Sequence, residues 1–260
     1  MDRRTFLTSL GAGAVGLTGL SALSACSSPE RDLLEGRVAD PAQLQPRGDD
    51  LIAGEADGDE LAVEARPLPV DVPDEDLVGI SFTAWARDAE IDVYAGEDDA
   101  VATWTFANPL ASGGPLVFLI PDLTGNPRQR VLLPVRPNGT YGWVDTADVD
   151  LEYHNYSILV ELSEFRLTLF DHGEPTFSTL VGVARENAPT PDGTYYTTEL
   201  LEPVVPSTIY GAYAYGLSGY SETLEEFAGG PGQLGLHGTN DPSSLGTQVS
   251  SGCIRMHDDE

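Results

Sequence analysis

The feature that most constrains the fold is a succession of short apolar runs, separated by turn residues, that begins near Val78. Residues 116–120 form one such run, and residues 157–162 and 165–170 alternate apolar with polar side chains, as strands with one buried face do. The chain also has 28 glycines and 19 prolines, which interrupt these runs before a helical period is sustained. We therefore predict an all-β-dominated fold.

Turn sequences locate two hairpins, and one short segment is predicted to be helical. Asn138-Gly139 precedes an aromatic strand, as in a tight hairpin, and residues 171–174 supply a second hairpin turn. Residues 223–227 are predicted to form one or two helical turns, capped by Ser221 or Thr223 and ended by two glycines.

Composition bounds the partners of the chain. Forty-two acidic residues stand against 13 basic residues, all of them arginine, and the formal net charge is −29. No arginine cluster offsets this charge, so we exclude nucleic acid as a partner, because its binding depends on neutralising phosphates. Two cysteines, Cys26 and Cys253, are too few for a disulfide framework or a four-thiolate zinc site.

The chain divides into four predicted segments. Residues 1–26 are a signal peptide, with two arginines before an apolar stretch that is too short and glycine-rich for a permanent membrane span. Residues 27–77 are acidic, lack aromatic residues and have no period, which predicts a disordered tether. Residues 78–151 predict a small β module that resembles bacterial SH3-like modules, and residues 156–260 predict a second β-rich domain.

The amino terminus resembles two known export signals. Residues 2–7 resemble a twin-arginine signal, and residues 23–26 resemble a bacterial lipobox, whose cysteine is acylated after cleavage. The resemblance implies lipidation at Cys26 and a lipid anchor at the outer face of the cytoplasmic membrane, facing the cell wall. The alternative is ordinary cleavage that leaves an unmodified mature terminus.

One cysteine and one histidine near the carboxyl end form a candidate catalytic pair. A thiol attacks as the thiolate, and a nearby imidazole such as His237 can take up the proton of Cys253. Gly252 leaves its own N–H and that of Cys253 open to a developing oxyanion. Spacing alone also allows the alternative that Cys253 is a small buried hydrophobe near an unrelated histidine.

The surrounding motifs resemble those of the L,D-transpeptidases of bacterial cell walls. The resemblance runs over residues 156–260 and rests on His-Gly-Thr-Asn at 237–240 and Ser-Gly-Cys-Ile-Arg-Met at 251–256. Residues 190–196 match the family's Thr-Pro-x-Gly-x-aromatic turn, and residues 213–220 match a segment near its substrate cleft. The resemblance implies an L,D-transpeptidase-type β-sandwich with a short helix.

The family's chemistry implies a role for each matched residue. Cys253 is expected to attack a donor stem tetrapeptide as a thioester-forming nucleophile, with His237 as base and the N–H groups of Gly252 and Cys253 holding the oxyanion. Five further residues are assigned to substrate binding or loop bracing: Arg255, Thr239, Gly238, Ser251 and Tyr220.

The implied reaction forms 3→3 crosslinks in peptidoglycan. Its partners are the donor stem peptide and the diaminopimelate amine of an acceptor; no cofactor or metal is implied, and His154, His172 and His257 are expected to be surface residues. Two alternatives remain: an L,D-carboxypeptidase that uses water as acceptor, and an inactive wall-binding lipoprotein.

Two departures from the family pattern stand out. Many relatives carry a second histidine where this chain has Ser251, and relatives continue through a short helix and a closing strand after the cysteine motif. We therefore expect the catalytic domain to be truncated at its carboxyl end.

Overall fold

The computed structural model of the protein describes residues 4–8, 37–38, 79–202, 209–226 and 230–260. For the strands β1 (Arg4–Thr8) and β2 (Arg37–Val38), only the backbone is described. The rest of the predicted signal peptide and tether, Cys26 included, lies outside the described residues. In the described part, no helix is both long and apolar enough to cross a bilayer.

Residues 81–154 build an antiparallel sheet. Its described strands are β3 (Ser81–Ala86), β4 (Glu90–Tyr94), β5 (Trp104–Ala107), β6 (Val117–Ile120), β7 (Arg128–Leu132), β8 (Tyr141–Asp145) and β9 (Val149–His154). They lie in the order β5-β4-β8-β7-β6-β3-β9. The prediction that β-strands dominate the fold is confirmed.

The burial of β6 explains why residues 116–120 are apolar without alternation. Phe118 and Ile120 pack in the core of the first sheet, together with residues such as Ile91 and Val144. Val117 and Leu119 point to the opposite face, where they pack against Tyr196 of the following sheet. Since both faces of this strand are covered, every position in it is apolar.

The second sheet begins directly after the first. Its further strands are β10 (Tyr156–Glu161), β11 (Arg166–Asp171), β12 (Glu174–Leu180), β14 (Gly193–Glu202), β15 (Ala214–Tyr220), β16 (Gln233–His237) and β18 (Ile254–Arg255); β13 (Val183–Ala184) and β17 (Gln248–Ser250) form a separate parallel pair.

The strand order of the second sheet is β12-β11-β10-β1-β14-β15-β16-β18, with β2 beside β14. β1 pairs antiparallel with β10 and parallel with β14. β9 is the last strand of the first sheet along the chain, and β10, which follows after Asn155, belongs to the second sheet. Whether residues 78–151 and 156–260 fold independently stays a prediction.

The two predicted hairpins have different outcomes. Between β11 and β12, Asp171 pairs with Glu174, and His172 and Gly173 have φ of +48° and +78°, as a two-residue turn requires. This prediction is confirmed. Between β7 and β8, Leu132 pairs with Tyr141, so the connection has eight residues instead of forming the predicted tight turn.

The predicted helix over 223–227 is wrong for its described residues, 223–226, which form bends and irregular backbone. Ser221 Oγ accepts hydrogen bonds from the N–H groups of Thr223 and Leu224, as an N-cap would, but no helical turn follows. The carbonyl oxygen of Leu224 is instead held by the guanidinium of Arg136. Helical structure in the described chain consists of 3-10 turns at Thr146–Asp148 and Pro242–Ser244.

The connection between β7 and β8 joins the two sheets. The Arg136 guanidinium donates to three carbonyl oxygens, those of Ser221, Leu224 and Pro231. The Asn138 amide pairs with the backbone of Tyr220 through two 2.8 Å hydrogen bonds. These contacts explain why this connection is longer than a hairpin turn.

Removing this guanidinium is expected to destabilise the protein. Arg136→Ala leaves three carbonyls without a charged donor, so we expect a loss of about 2 kcal/mol and a fall in Tm of roughly 5 °C, measured by thermal unfolding. Arg130→Ala is the matched control, because exposed Arg130 makes a cation–π contact with Tyr141, 3.9 Å from its ring centroid. Equal effects of the two substitutions would contradict the bridging role.

Candidate active site

Parallel strand pairing brings the two carboxyl-terminal motifs together. β16 ends at His237 and β18 begins one residue after Cys253. Leu236 pairs with Ile254 and His237 pairs with Arg255. The fifteen residues between His237 and Cys253 thus form a loop whose two ends lie side by side.

Tyr210 contacts both members of the predicted catalytic pair. It packs with Cys253 in a small buried cluster, and its ring meets the His237 ring edge-on with centroids 5.0 Å apart. Cys253 is 1% exposed and His237 is 2% exposed. The structure therefore places the sulfur-bearing residue and the imidazole around one aromatic ring, in a site that excludes water.

The hydrogen bonding of His237 defines its protonation. Nδ1 lies 2.6 Å from Gly238 O; because a carbonyl only accepts, Nδ1 carries the proton. Nε2 is then the acceptor nitrogen, and it is buried without a hydrogen-bond partner among the described residues. Burial is the main cause that lowers the pKa of His237 to about 4; the hydrogen bond with Gly238 O acts in the raising direction, and the nearby Arg255 charge adds a smaller lowering effect. At neutral pH the ring is uncharged and can accept a proton at Nε2.

Cys253 is disulfide-bonded in this structure. The chain's other cysteine, Cys26, lies outside the described residues. A disulfide sulfur is not a nucleophile, so chemistry at Cys253 requires the reduced thiol.

Hydroxyl groups hold the turn that carries Cys253. Thr190 Oγ1 donates to Gly252 O at 2.8 Å, and Ser250 Oγ donates to Cys253 O at 2.5 Å. Gly252 has φ of +138°, and an added Cβ would lie 2.9 Å from Leu234 Cδ2, which explains the need for glycine. The Gly252 N–H, predicted to hold an oxyanion, donates to Ser250 Oγ at 3.3 Å.

The residues after His237 are organised by a carboxylate that the sequence did not single out. Asp258 Oδ1 accepts a 2.8 Å hydrogen bond from the N–H of buried Thr239. A Cβ added at Gly238 or Gly211 would lie 2.1 or 2.0 Å from this oxygen. Gly238 therefore lets the carboxylate approach the backbone beside the imidazole.

Arg255, Ser251 and Tyr220 were also predicted to bind substrate or to brace the loop. Arg255 exchanges two 2.8 Å backbone hydrogen bonds with Gly182, and burial, with the charge of Arg185 second, lowers its pKa. Ser251 is half-buried beside Gly252. Tyr220 donates from its hydroxyl to Pro134 O at 2.9 Å, so its contact is with the first sheet.

The described residues contain no group of three or more His, Cys, Asp and Glu side chains that could bind a metal ion. The expectation that His154 lies on the surface is wrong, because it is 9% exposed at the end of β9. His172 is exposed, with 64% of its side chain accessible, and His257 is partly exposed, with 40% of its side chain accessible. The position of His154 between the two sheets has no local sequence signal.

Two buried histidines make the fold sensitive to acid. Burial lowers the pKa of His154 to about 4, as it does for His237, while its ordinary value is 6.5. Above pH 6.5 both folded and unfolded states are neutral; between pH 6.5 and 4 the unfolded state binds the proton more readily, so stability falls as pH falls. Each histidine is expected to contribute about 3 kcal/mol to this loss.

The His154→Asn variant removes the contribution of one of the two histidines to this loss of stability. Between pH 7 and pH 4.5, urea unfolding of the wild type should lose roughly 2 to 3 kcal/mol more stability than unfolding of the variant. The comparison cancels the contribution of the many carboxylates, which both proteins share. Parallel pH dependence in the two proteins would show that His154 is not held neutral by the fold.

Comparison with known proteins finds similarity over residues 155–260. Residues 155–260 match the YkuD family, the L,D-transpeptidase catalytic domain. The "Putative L,D-transpeptidase YkuD" of Bacillus subtilis is 32% identical over 102 residues, which are 39% of this chain and 54% of the relative. The protein of the same name from Bacillus licheniformis is also 32% identical over 102 residues, 39% of this chain and 53% of the relative.

The chain thus spans about half the length of the curated relatives it matches. The matched YkuD region begins at the junction of the two sheets and contains the whole cluster around Tyr210. The resemblance noted in the sequence is therefore supported by a match to the L,D-transpeptidase catalytic domain over residues 155–260.

Four residues of the candidate site were given no individual role from the sequence: Tyr210, Thr190, Ser250 and Asp258. Thr190 lies in the turn motif at 190–196, which marks its segment but not its partner. The contacts of Thr190, Tyr210 and Asp258 form only when separate segments of the chain meet. Ser250 instead contacts residues two and three positions away, Gly252 and Cys253.

Proposed function

We propose that this chain is a cysteine-dependent L,D-transpeptidase that forms 3→3 crosslinks between peptidoglycan stem peptides. The proposal rests on one observation. His237 is neutral, its acceptor nitrogen Nε2 is buried, and it contacts the same Tyr210 ring as Cys253 does. The match of residues 155–260 to the YkuD family supports the same chemistry.

The proposed acylation step uses these two residues. The reduced Cys253 thiol gives its proton to His237 Nε2, and the sulfur attacks the carbonyl carbon between the third and fourth residues of a donor tetrapeptide. The oxyanion that forms is stabilised by backbone N–H. As the C–N bond breaks, the imidazolium returns the proton to the leaving D-alanine amine, and a thioester remains.

Deacylation uses the same groups in the opposite sense. The diaminopimelate amine of a second stem peptide attacks the thioester carbonyl, a bond forms between carbon and nitrogen, and the Cys253 sulfur leaves. His237 takes the proton of the amine and transfers it to the departing sulfur, which restores the thiol. The low pKa of His237 makes its protonated form a strong acid, suited to protonating a leaving group.

Export and lipidation are also part of the proposal, on the strength of the sequence at residues 2–7 and 23–26. A lipid on Cys26 is incompatible with a disulfide at that sulfur, so an acylated protein would carry Cys253 as a thiol. Cleavage before Cys26 would also remove β1 from the sheet. Metabolic labelling with a radioactive fatty acid tests this step: the label should appear in the membrane fraction and be absent from Cys26→Ala.

The reaction is tested with the reduced full-length chain and purified muropeptides. A donor tetrapeptide and an acceptor peptide are mixed with the enzyme, and the products are separated and weighed by mass spectrometry. A 3→3 dimer with release of D-alanine supports the proposal. A tripeptide without dimer would identify a carboxypeptidase, and binding without any product would identify an inactive wall-binding protein; either result would overturn the transpeptidase proposal.

A further inference from the structure

Two buried hydroxyls hold the peptide groups on either side of the proposed nucleophile. Thr190, which is 4% exposed, donates to Gly252 O at 2.8 Å. Ser250, which is 1% exposed, donates to Cys253 O at 2.5 Å. Thr190 comes from the turn before β14 and is 62 positions from Gly252 in sequence, so this contact ties distant parts of the chain together.

The bond from Thr190 fixes the direction of a neighbouring N–H. In a planar trans peptide, the carbonyl of one residue and the N–H of the next point in opposite directions. Holding Gly252 O toward Thr190 therefore turns the N–H of Cys253 to the opposite side of the peptide. The N–H of the nucleophilic residue itself is a donor that oxyanion holes use.

Ser250 has a complementary effect on the same turn. Its hydroxyl accepts from the Gly252 N–H at 3.3 Å while donating to Cys253 O. A single hydroxyl can do both, since it has one proton and two lone pairs. The Gly252 N–H is thereby occupied within the turn. Stabilisation of the oxyanion then depends on the orientation of the Cys253 N–H.

We infer that Thr190 and Ser250 are positioning residues that orient the backbone N–H of Cys253 toward the acyl oxyanion. The inference rests on the proposed function, because an oxyanion forms only if Cys253 attacks a carbonyl. Neither hydroxyl touches the substrate in this account; each acts through a backbone carbonyl.

Two reactions of the same sulfur separate positioning from thiol activation. Acylation by a carbapenem passes through an oxyanion, whereas alkylation by iodoacetamide displaces iodide at a saturated carbon and forms none. Thr190→Val, which keeps the shape of the side chain, should slow acylation about 10- to 100-fold. The alkylation rate should stay within about twofold of the wild type, because alkylation forms no oxyanion for the Cys253 N–H to stabilise.

Two further substitutions serve as controls. Thr190→Ser retains the hydroxyl and is expected to restore most of the acylation rate. Thr247→Val makes the same chemical change at an exposed threonine, whose hydroxyl donates to Ser244 O at 2.6 Å, and should leave both rates unchanged.

Each outcome decides the inference. Unchanged acylation in Thr190→Val, or acylation and alkylation falling together, would overturn it. If Thr190→Val does not fold, Ser250→Ala is measured instead and must show the same split between the two rates. A wild-type protein that is alkylated but never acylated would refute the proposed function itself, and the inference with it.

Discussion

Replacing Cys253 with alanine is expected to lower the rate of 3→3 dimer formation by roughly 10⁴-fold or more. No other described side chain in the buried cluster carries a sulfur, and Tyr210 and His237 provide no equivalent nucleophile. Because Cys253 is 1% exposed and packed against Tyr210, Cys253→Ser is measured as well, since it fills more of the same space. Product formation from purified muropeptides gives the rate.

The matched control for this substitution is Cys26→Ala. The same chemical change at the chain's other cysteine should preserve dimer formation by soluble protein and, with no second cysteine left in the chain, remove any need for a reductant. Substantial activity in Cys253→Ala would refute the assignment of the nucleophile. Loss of activity in Cys26→Ala would show that the amino-terminal cysteine takes part in the chemistry.

The second large effect is expected at His237. His237→Asn retains a donor for Gly238 O but removes the acceptor nitrogen Nε2, so acylation should slow by about 10²- to 10⁴-fold. His154→Asn alters the other buried histidine, which the mechanism does not use, and should leave acylation unchanged under conditions where the variant is folded. Rates are measured by carbapenem acylation at pH 7.

The pH dependence adds a readout that a structural role would not produce. With its pKa near 4, His237 stays in its accepting form down to mildly acidic pH, so the acylation rate of folded wild-type protein should not fall until pH approaches about 4. In His237→Asn this acidic limb should be absent. A wild-type rate that halves near pH 6.5 would show that the imidazole is solvated in the active form.

The sequence predicted the hairpin turn at residues 171–174 because this feature depends only on adjacent residues. The turn at His172-Gly173 needs two residues with positive φ between two alternating strands, and all of this is visible within a dozen positions. The predicted helix failed over its described residues, 223–226, where the Arg136 guanidinium, far away in sequence, binds the carbonyl of Leu224. The contact with a charged side chain distant in sequence outweighed the local helix propensity.

In the candidate site, too, the local motifs were visible in the sequence but the long-range contacts were not. Cys253 and His237 were selected as candidates from residue type and motif, but the pairing of β16 with β18 that brings their segments together is long-range. Tyr210, which joins the two, precedes β15 in a segment with no pattern that predicts its contact. The carboxylate of Asp258 similarly fits only because two glycines from different segments meet beside it.

The most direct test of the central claim is the mass of the reduced protein after exposure to a carbapenem, followed by cleavage at arginine. Since the chain lacks lysine, cleavage places Cys253 in the fragment 186–255 and Cys26 in the fragment 5–31. We predict one adduct per chain, confined to fragment 186–255, lost in Cys253→Ala and formed far more slowly in His237→Asn. An adduct on another fragment, or none on folded and reduced protein, would contradict the account.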